Sequence, residues 1–267
     1  MEKESKIGII GYGNMGQAMA KGLVERGGFP CENIMACAGH FDKLKKNTEK
    51  IGITALPTAK EVAEKSDMVI LAVKPYQLKE VVMPIREVLQ SKVVVSVAAG
   101  YHFQKYEEML LPGTHYICTI PNTPIAVGEG ILVCEETHSL SKEEWTMFQE
   151  IFGKIALIEL VSTEKLSIAG TISGCAPAFT AMYLEALADA GVKYGLTRLA
   201  AYRMAAKMIT GTGKMYLEEG NHPGEMKDAV CSPGGTTIRG VADLEKNGFR
   251  GSVISAIEAI EGEKKNV

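Results

Sequence analysis

The chain has 267 residues, of which 46% are apolar, and its formal net charge is −3 at pH 7. This apolar fraction is enough for a sizeable core, while the weak acidic charge and the dispersed Lys and Arg give no sign of a nucleic-acid surface. None of the six cysteines stands in a C-x-x-C pair, so neither a zinc site nor a redox dithiol is indicated. Scattered cysteines of this kind predict a reducing compartment, most simply the cytoplasm.

The first predicted element is the strand Ile7–Ile10, preceded by an acidic N-terminus that does not resemble a signal peptide. The strand runs into a G-x-G-x-x-G formed by Gly11, Gly13 and Gly16, and an amphipathic helix is predicted over residues 14–26. In such a turn the first glycine makes the bend, the second lets a pyrophosphate approach the backbone, and the third lets helix and strand pack closely. The order strand, turn, helix therefore favours dinucleotide binding over a glycine-rich turn without a ligand.

Strands and helices continue to alternate as far as residue 160. Further strands are predicted at residues 33–38, 53–56, 68–73, 93–97, 116–120, 131–134 and 155–160. Helices are predicted at residues 41–50, 58–65, 75–90 and 141–152, with a capping box between Thr58 and Glu61 at the start of the second. Because strands that alternate with helices are joined by right-handed crossovers, the pattern predicts an α/β domain with a mostly parallel sheet over residues 1–162.

The character of the chain changes after Thr163. Helices are predicted at residues 176–192, 197–219 and 251–263, and no strand-like run remains. Their alanine-rich composition without a clear polar face favours packing on other helices, often those of a second subunit, although a monomeric bundle is the alternative. The uncharged stretch 166–184 is long enough to span a bilayer, but its Ser, Thr and Gly content and Pro177 indicate buried protein instead of membrane.

Ligands of open parallel sheets bind beyond the carboxyl ends of the strands, so the residues that follow each strand are candidates for binding. After the second strand the chain has Ala38, Gly39 and His40, where an NAD enzyme commonly has a carboxylate for the ribose hydroxyls. The missing carboxylate, with Lys43 and further lysines close behind, favours the extra phosphate of NADP. Alternatively, these lysines form only the solvated face of a helix.

Small residues and a lysine follow the next two strands of the predicted sheet. Lys74, within A-V-K-P at 72–75, either approaches the phosphates or ribose of a cofactor or points into water from a helix start. Ala98, Ala99 and Gly100 offer small side chains against which a flat ring could lie. P-N-T-P at 121–124 is predicted as a stiff turn, and ordinary turn chemistry is the alternative for both segments.

A second motif lies far downstream, in residues 221–240. Its core is Ser232-Pro233-Gly234-Gly235-Thr236-Thr237. Proline and paired glycines expose successive backbone N–H groups, and a helix beginning at Thr236 or Thr237 would present its N-terminus to a carboxylate. A threonine hydroxyl can also hydrogen-bond a ring nitrogen. The alternative is an ordinary connection between helices, capped by Ser and Thr.

These motifs together resemble those of pyrroline-5-carboxylate reductases, and the resemblance covers almost the whole chain. It rests on G-Y-G-N-M-G at 11–16, A-V-K-P at 72–75, V-A-A-G at 97–100, P-N-T-P at 121–124, S-G-C-A-P-A at 173–178 and, most specifically, H-P-G-E-M-K-D-A-V-C-S-P-G-G-T-T-I at 222–238. It implies a Rossmann-type N-terminal domain and an all-helical dimerisation and substrate-binding domain over residues 163–267. It also implies a homodimer with interlocked helices, from which rings of dimers can assemble.

The activity implied by the resemblance is reduction of 1-pyrroline-5-carboxylate to L-proline by NADPH, with NADH as the alternative and without a metal. The cofactor would be bound by Ile10, Gly11, Tyr12, Gly13, Asn14, Met15, Ala38, Ala72, Val73, Lys74, Pro75 and Ala98. The substrate would be bound by Ser232, Gly234, Gly235, Thr236 and Thr237, with Thr237 as the catalytic residue at the ring nitrogen. The family often has a polar residue in place of Ala38, which leaves the cofactor preference open.

Two other functions compete with this interpretation. A dehydrogenase of the related β-hydroxyacid class needs a catalytic lysine on the first helix of its second domain, and Lys165 lacks the glycine pattern that surrounds such a lysine. A cofactor-binding sensor without catalysis has no need of S-P-G-G-T-T. In a reductase, no strong general acid stands out, so catalysis would rest on positioning ring against ring and on excluding water.

Overall fold

The computed structural model describes residues 5–264. The chain divides into two compact units, Met1–Gly174 and Cys175–Val267. The domain boundary predicted between residues 162 and 163 lies one short helix earlier, and it stays a prediction.

The first unit is built on one eight-stranded sheet. Its strands are β1 Ile7–Ile10, β2 Ile34–Cys37, β3 Thr54–Ala55, β4 Met68–Leu71, β5 Val93–Ser96, β6 His115–Pro121, β7 Gly130–Glu135 and β8 Ala156–Val161. Their order across the sheet is β3-β2-β1-β4-β5-β6-β7-β8, and all neighbours are parallel except β6 and β7. The predicted α/β fold with a mostly parallel sheet is therefore confirmed.

Helices cover both faces of this sheet. They are α1 Asn14–Glu25, α2 Phe41–Thr48, α3 Ala59–Lys65, α4 Leu78–Val82, α5 Arg86–Leu89, α6 Phe103–Glu107, α7 Lys142–Phe152 and α8 Leu166–Gly174. The central strands β1, β2, β4 and β5 are buried along their whole length, as continuous apolar runs between two helical layers require. Met19 and Phe148 lie in the core on one face of the sheet, and Val82 and Tyr106 lie in the core on the other.

The single helix predicted over residues 75–90 is wrong. The structure has a 3₁₀ turn at Pro75–Gln77, the short helix α4, a second 3₁₀ turn at Met83–Ile85, and the short helix α5. Pro84 lies inside the second turn, where it removes a backbone N–H and its ring displaces the preceding carbonyl, so the helix cannot continue through it. The helix α6, which has only five residues, was not predicted from the sequence.

The capping box predicted between Thr58 and Glu61 forms only in part. The Glu61 N–H donates to the Thr58 hydroxyl oxygen at 3.2 Å, but the Glu61 carboxylate accepts from that same hydroxyl instead of from the Thr58 backbone. The complete capping box is at α7. There the Glu144 N–H donates to Ser141 Oγ at 3.2 Å, and the Ser141 N–H donates to Glu144 Oε2 at 2.7 Å.

β8 forms one edge of the sheet, and the two-residue strand β3 forms the other. β8 is not a buried strand like those at the centre: Leu157 and Leu160 are 48% and 41% exposed. Glu159, between them, is exposed as well. The sheet therefore ends in a six-residue strand with one unpaired backbone edge.

The second unit is helical throughout the part that the structure describes. Its helices are α9 Ala176–Lys193, α10 Arg198–Glu219, α11 Pro223–Ala229, α12 Thr236–Lys246 and α13 Phe249–Lys264. α9 and α10 pack closely, because a Cβ on Gly191 would lie only 3.1 Å from the Ala201 Cβ. In the single chain, the buried apolar residues of the described part of this unit are Ala188, Ala201 and Ala205.

The prediction that residues 166–184 are buried fails within a single chain. Ile172 is 57% exposed and Met182 is 68% exposed. The segment forms α8 and the first half of α9, which Pro177 opens at one of the first helical positions. No helix within residues 5–264 is both long enough and apolar enough to cross a membrane.

Candidate functional site

The turn between β1 and α1 places its three glycines in three different environments. Gly11 has a φ of +99°, and a Cβ built on it would lie 2.6 Å from the backbone of Ala72. A Cβ on Gly16 would overlap the Gly11 carbonyl oxygen, so this glycine lets α1 pack on the turn. A Cβ on Gly13 would meet no atom within 4 Å. The turn is thus closed at its first and third glycines and open at its second.

The N-terminus of α1 faces this opening without a cap. Gly13 is the N-cap residue, no side chain accepts from the first turn, and the Gln17 N–H is bonded to the Gly13 carbonyl at 2.9 Å. The N–H groups of the first turn therefore remain available to an anion, as the pyrophosphate of a dinucleotide requires. Tyr12 is buried beside them, and burial raises its pKa to about 12, so the phenol adds no negative charge at neutral pH.

The turns after β1 and β4 are held together by the backbone. The Ala72 N–H donates to the Ile10 carbonyl at 2.8 Å, and the Gly11 N–H donates to the Cys37 carbonyl at 3.0 Å. Three strand ends therefore meet at the glycine turn, and with them Ala72 and Val73. Lys74 follows at the start of the 3₁₀ turn, where it is exposed.

The end of β2 has the character that the sequence predicts. Ala38 is half-buried, while Gly39 and His40 are exposed, and His40 is the N-cap residue of α2 without using its side chain as a cap. Lys43, the third residue of that helix, is exposed. Asp42 puts a negative charge in the first turn of α2, next to these residues.

The segment after β5 is a compact turn of small residues. Ala98 is buried, and its N–H donates to Ser96 Oγ at 3.3 Å. Gly100 has a φ of +77°, which favours glycine, and its carbonyl accepts from Lys105 Nζ at 2.7 Å. The segment against which the sequence predicts that a flat ring could lie is therefore held in place by these two hydrogen bonds.

Asn122 makes the P-N-T-P segment more than a stiff turn. Its side chain is buried, its Oδ1 accepts from the Ile131 N–H at 2.8 Å, and its Nδ2 donates to the Ser173 carbonyl at 3.0 Å. The amide thus joins the end of β6, the start of β7 and the end of α8.

The second motif forms the turn that begins α12. Gly234 has a φ of +69°, the Gly235 N–H donates to the Ser232 carbonyl at 3.0 Å, and a Cβ on Gly235 would overlap the Ser232 hydroxyl. The segment connects α11 to α12, but Gly235 is the N-cap residue and no side chain caps the helix, so the capping by Ser and Thr that the alternative assumed is wrong. Thr236 and Thr237 are the first two helical residues, and both are exposed.

One further residue of the motif supports this turn. Arg239 Nη2 donates to the Gly234 carbonyl at 3.0 Å, which holds the two glycines over the start of the helix. The N–H groups of the first turn of α12 are left without intrahelical partners, and they share their position with two threonine hydroxyls. The turn can therefore bind a carboxylate through N–H groups and a second polar atom through a hydroxyl.

The buried carboxylate of Glu135 and the pair Ser96–Tyr106 were not identified from the sequence. Glu135 ends an apolar run and resembles the exposed end of a strand in the pattern, yet it is buried. Ser96 Oγ and the Tyr106 phenol are hydrogen-bonded to each other inside the core. Within residues 5–264, no group of three or more His, Cys, Asp or Glu side chains is arranged to hold a metal ion.

Comparison with known proteins identifies both parts of the chain. Residues 163–267 match a family model described as pyrroline-5-carboxylate reductase dimerisation, and residues 6–100 match one described as NADP oxidoreductase, coenzyme F420-dependent. The Rossmann-type domain followed by a helical dimerisation domain is therefore confirmed.

Full-length relatives agree with these two matches. A pyrroline-5-carboxylate reductase of Treponema pallidum is 42% identical over 95% of this chain and 97% of its own. The solved pyrroline carboxylate reductase of Plasmodium falciparum, with NADP bound, has a TM-score of 0.84 at 31% identity, over 98% of this chain and 97% of that one. The Coxiella burnetii enzyme has a TM-score of 0.87 at 29% identity, over 99% and 98%. Such identity across nearly the full length of both chains means that this chain belongs to the pyrroline-5-carboxylate reductase family.

Proposed function

We propose that this chain reduces 1-pyrroline-5-carboxylate to L-proline with a hydride from NAD(P)H, the last step of proline biosynthesis. The observation that carries the proposal is the uncapped start of α12 at Gly235, beside two exposed threonine hydroxyls. That arrangement suits a small molecule with a carboxylate and a ring nitrogen. The relatives named pyrroline-5-carboxylate reductase support the same substrate.

The cofactor is bound by the glycine turn and the neighbouring strand ends. The open space at Gly13 and the free N–H groups at the start of α1 receive the pyrophosphate. Ala38 and Ala72 to Pro75 line the adenosine half, and Ala98 lies at the nicotinamide end. The NADP bound in the Plasmodium falciparum enzyme supports NADPH as the physiological reductant.

The substrate is bound by the turn at residues 232–237. The N–H groups at the start of α12 hold the carboxylate, and Ser232, Gly234, Gly235 and Thr236 shape the turn around it. Thr237 places its hydroxyl at the ring nitrogen. Gly235 cannot be replaced without moving Ser232, since a Cβ there would overlap the serine hydroxyl.

The chemistry needs little from the side chains beyond position. NAD(P)H, when bound, supplies a hydride to the imine carbon, and the C=N electron pair moves onto a nitrogen that already carries a proton. Thr237 orients that nitrogen, and the small residues at 98–100 leave room for a flat ring. Binding cofactor and substrate in reactive orientation contributes most of the rate, because it replaces the entropy loss of a bimolecular encounter.

We further propose a homodimer in a reducing compartment, the cytoplasm, with dimers able to assemble into rings. The match of residues 163–267 to a dimerisation family supports self-association through the second unit. The six cysteines are all free, which supports a reducing environment.

The deciding experiment measures oxidation of NADPH and NADH with and without 1-pyrroline-5-carboxylate. We expect a rate only when the imine is present. Folded protein that binds NADPH but shows no substrate-dependent rate with either cofactor would exclude the reductase and favour a cofactor-binding sensor. Reduction of NADP⁺ by a β-hydroxyacid, without oxidation of NADPH by the imine, would instead identify the related dehydrogenase class.

A further inference from the structure

A fully buried carboxylate lies in the first unit and takes no part in the proposed chemistry. Glu135, the last residue of β7, is 1% exposed. Its Oε2 accepts from the Phe103 N–H at 2.7 Å, and its Oε1 accepts from the Thr163 hydroxyl at 2.5 Å. A buried charge is costly unless both oxygens are hydrogen-bonded, so the two contacts explain how the charge is tolerated but not why it is there.

The register of the sheet puts Glu135 in a row with two other polar side chains. Ser96 pairs with Cys118 across β5 and β6, and Thr119 pairs with Cys134 across β6 and β7, so Glu135 lies beside Cys118. Burial, reinforced by the Glu135 charge, keeps the pKa of the Cys118 thiol far above its usual range. The thiol is therefore neutral, and the row consists of a hydroxyl, a thiol and one carboxylate beneath α6.

This row fastens α6 to the sheet at both of its ends. Glu135 accepts from Phe103, the first residue of the helix, and Ser96 bonds the phenol of Tyr106, its fourth residue. A five-residue helix has too few internal hydrogen bonds to hold itself in place. The position of α6 is therefore set by its contacts with the sheet, which are these two buried side chains and Tyr116, whose phenol donates to the Phe103 carbonyl at 3.1 Å.

α6 in turn holds the segment that follows β5. Lys105 Nζ donates to the Gly100 carbonyl at 2.7 Å, and the Ala98 N–H shares the hydroxyl of Ser96 with Tyr106. The Tyr101 N–H closes the turn on the Ala98 carbonyl at 3.3 Å. A shift of α6 would therefore move Ala98 and Gly100.

We propose that Glu135 is a positioning residue for the cofactor: through α6 it fixes Ala98 to Gly100, which receive the nicotinamide ring. The inference rests on the proposed function, since it assumes that a nicotinamide lies there. Glu135 itself touches neither cofactor nor substrate. Its influence is limited to the nicotinamide end, because the glycine turn at Gly11 to Gly16 is held instead by the ends of β2 and β4, at Cys37 and Ala72.

The test compares NADP⁺ with 2′-phospho-ADP-ribose, which lacks only the nicotinamide. In Glu135→Ala, we expect NADP⁺ affinity to fall about tenfold in calorimetry while the affinity for the nicotinamide-free ligand stays within about twofold. We expect kcat to fall by about tenfold or more in the same variant, since a misplaced ring loses reactive geometry. Glu135→Gln keeps an acceptor for Phe103 and a donor for Thr163, so it should restore both values to within about threefold.

Two further variants separate positioning from stability. Ser66→Ala removes a buried hydrogen bond to the Val62 carbonyl at the end of α3, and it should lower the melting temperature without separating the two ligands. If Glu135→Ala fails to fold, Lys105→Met tests the next link, because its exposed side chain contacts the segment after β5, at the Gly100 carbonyl and over the Tyr101 ring. Lys105→Met should then lower the affinity for NADP⁺ but not the affinity for the nicotinamide-free ligand.

The outcomes are decisive in both directions. The proposal is overturned if the Ala variant folds and loses affinity equally for both ligands, if it loses neither affinity nor turnover, or if Glu135→Gln is as impaired as Glu135→Ala. These binding measurements do not require the imine substrate. A wild-type protein that binds NADP⁺ without reducing 1-pyrroline-5-carboxylate would therefore remove the proposed function while leaving the role of Glu135 to be decided by the ligand pair.

Discussion

Thr237 is the second residue of α12, where its hydroxyl is free of any capping role. We predict that Thr237→Ala keeps the fold and the cofactor affinity but lowers kcat/KM by about ten- to a hundredfold. A hydrogen bond to a charged group contributes roughly 1.5–3 kcal/mol, and each 1.4 kcal/mol or so is tenfold in rate. The cost to folding should stay below about 1 kcal/mol, because the helix N-cap is Gly235. Steady-state kinetics and NADPH fluorescence measure the two effects.

The control for this variant is Thr146→Ala on α7, whose hydroxyl donates to the Lys142 carbonyl of its own helix. It should leave kinetics unchanged. If Thr237→Ala retained the wild-type kcat and kcat/KM, the residue would have no part in the mechanism, and the backbone of the Gly-Gly-Thr turn would be the remaining anchor for the substrate.

The end of β2 bears on which cofactor is used. We predict a higher kcat/KM with NADPH than with NADH, because the residues at this strand end are Ala38, Gly39 and the exposed His40, with Lys43 close behind. A cation or a backbone N–H can meet the extra phosphate there, and Asp42 is the opposing charge nearest in the chain. The double variant His40→Ala and Lys43→Ala should bring the kcat/KM values for NADPH and NADH closer together. Equal or higher kcat/KM with NADH in the wild type would refute the prediction.

At the scale of elements, the turn between β1 and α1 allows stability and binding to be separated. We predict that Gly16→Ala destabilises the protein, because its Cβ would overlap the Gly11 carbonyl where α1 packs on the turn. Gly13→Ala should melt like the wild type, because its Cβ meets no protein atom, but it should lose NADPH affinity, because the methyl occupies the approach of the pyrophosphate.

Thermal melts and NADPH titration of both variants measure this difference. Gly251→Ala, an open position on α13 away from the proposed cofactor site, is a control for the general effect of adding a methyl group to an uncrowded glycine. Should Gly13→Ala bind NADPH as tightly as the wild type, the open side of the turn would not be the phosphate site.

The elements that the sequence predicted well share one property. β1, β4 and β5 are continuous apolar runs bounded by turn residues. In these strands, the local apolar pattern agrees with their burial in the folded protein. Residues 75–90 failed because apolar spacing suggested one helix, while Pro84 acts locally to break it. Helix α6 was not predicted, because five residues are too few to show a helical periodicity. It is held by the contacts of Glu135 and Tyr106, which join residues distant in the sequence and leave no local pattern.

The same contrast applies to the site. The glycines of both turns were recognisable because each allows a backbone approach that other residues forbid. Asn122 and Glu135 could not be assigned a role, because their partners at Ser173, Phe103 and Thr163 lie far away in the sequence. The burial of a polar residue within an apolar pattern can be recognised only when its distant partner is known.

At the scale of the whole molecule, the second unit exposes several large apolar side chains in the single chain. Met182, Leu199 and Met204 are 68%, 69% and 60% exposed in the single chain. Large exposed apolar patches mark interaction surfaces in soluble proteins. We therefore predict a homodimer as the smallest stable species, measured by light scattering at micromolar concentration.

Two charge substitutions test where that contact lies. Met204→Lys should weaken the dimer, because α10 would then carry a buried cation at the interface. Met83→Lys, at an exposed apolar position of the first unit, should not alter the oligomeric state. A well-folded wild-type monomer at micromolar concentration contradicts the prediction, and so does a dimer that Met204→Lys leaves unaffected.

The exposed strand β8 has a consequence during protein synthesis. Domains fold as units from the N-terminus while the chain is still being made, so the first unit can complete its sheet before residues 175–267 have left the ribosome. An open strand edge of six residues with Leu157 and Leu160 exposed is a template for pairing with a neighbouring nascent chain. Glu159 puts a negative charge in the middle of that edge, and like charges brought opposite each other resist pairing. We expect the Glu159 carboxylate to oppose such edge-to-edge pairing between the first units of neighbouring chains on one polysome.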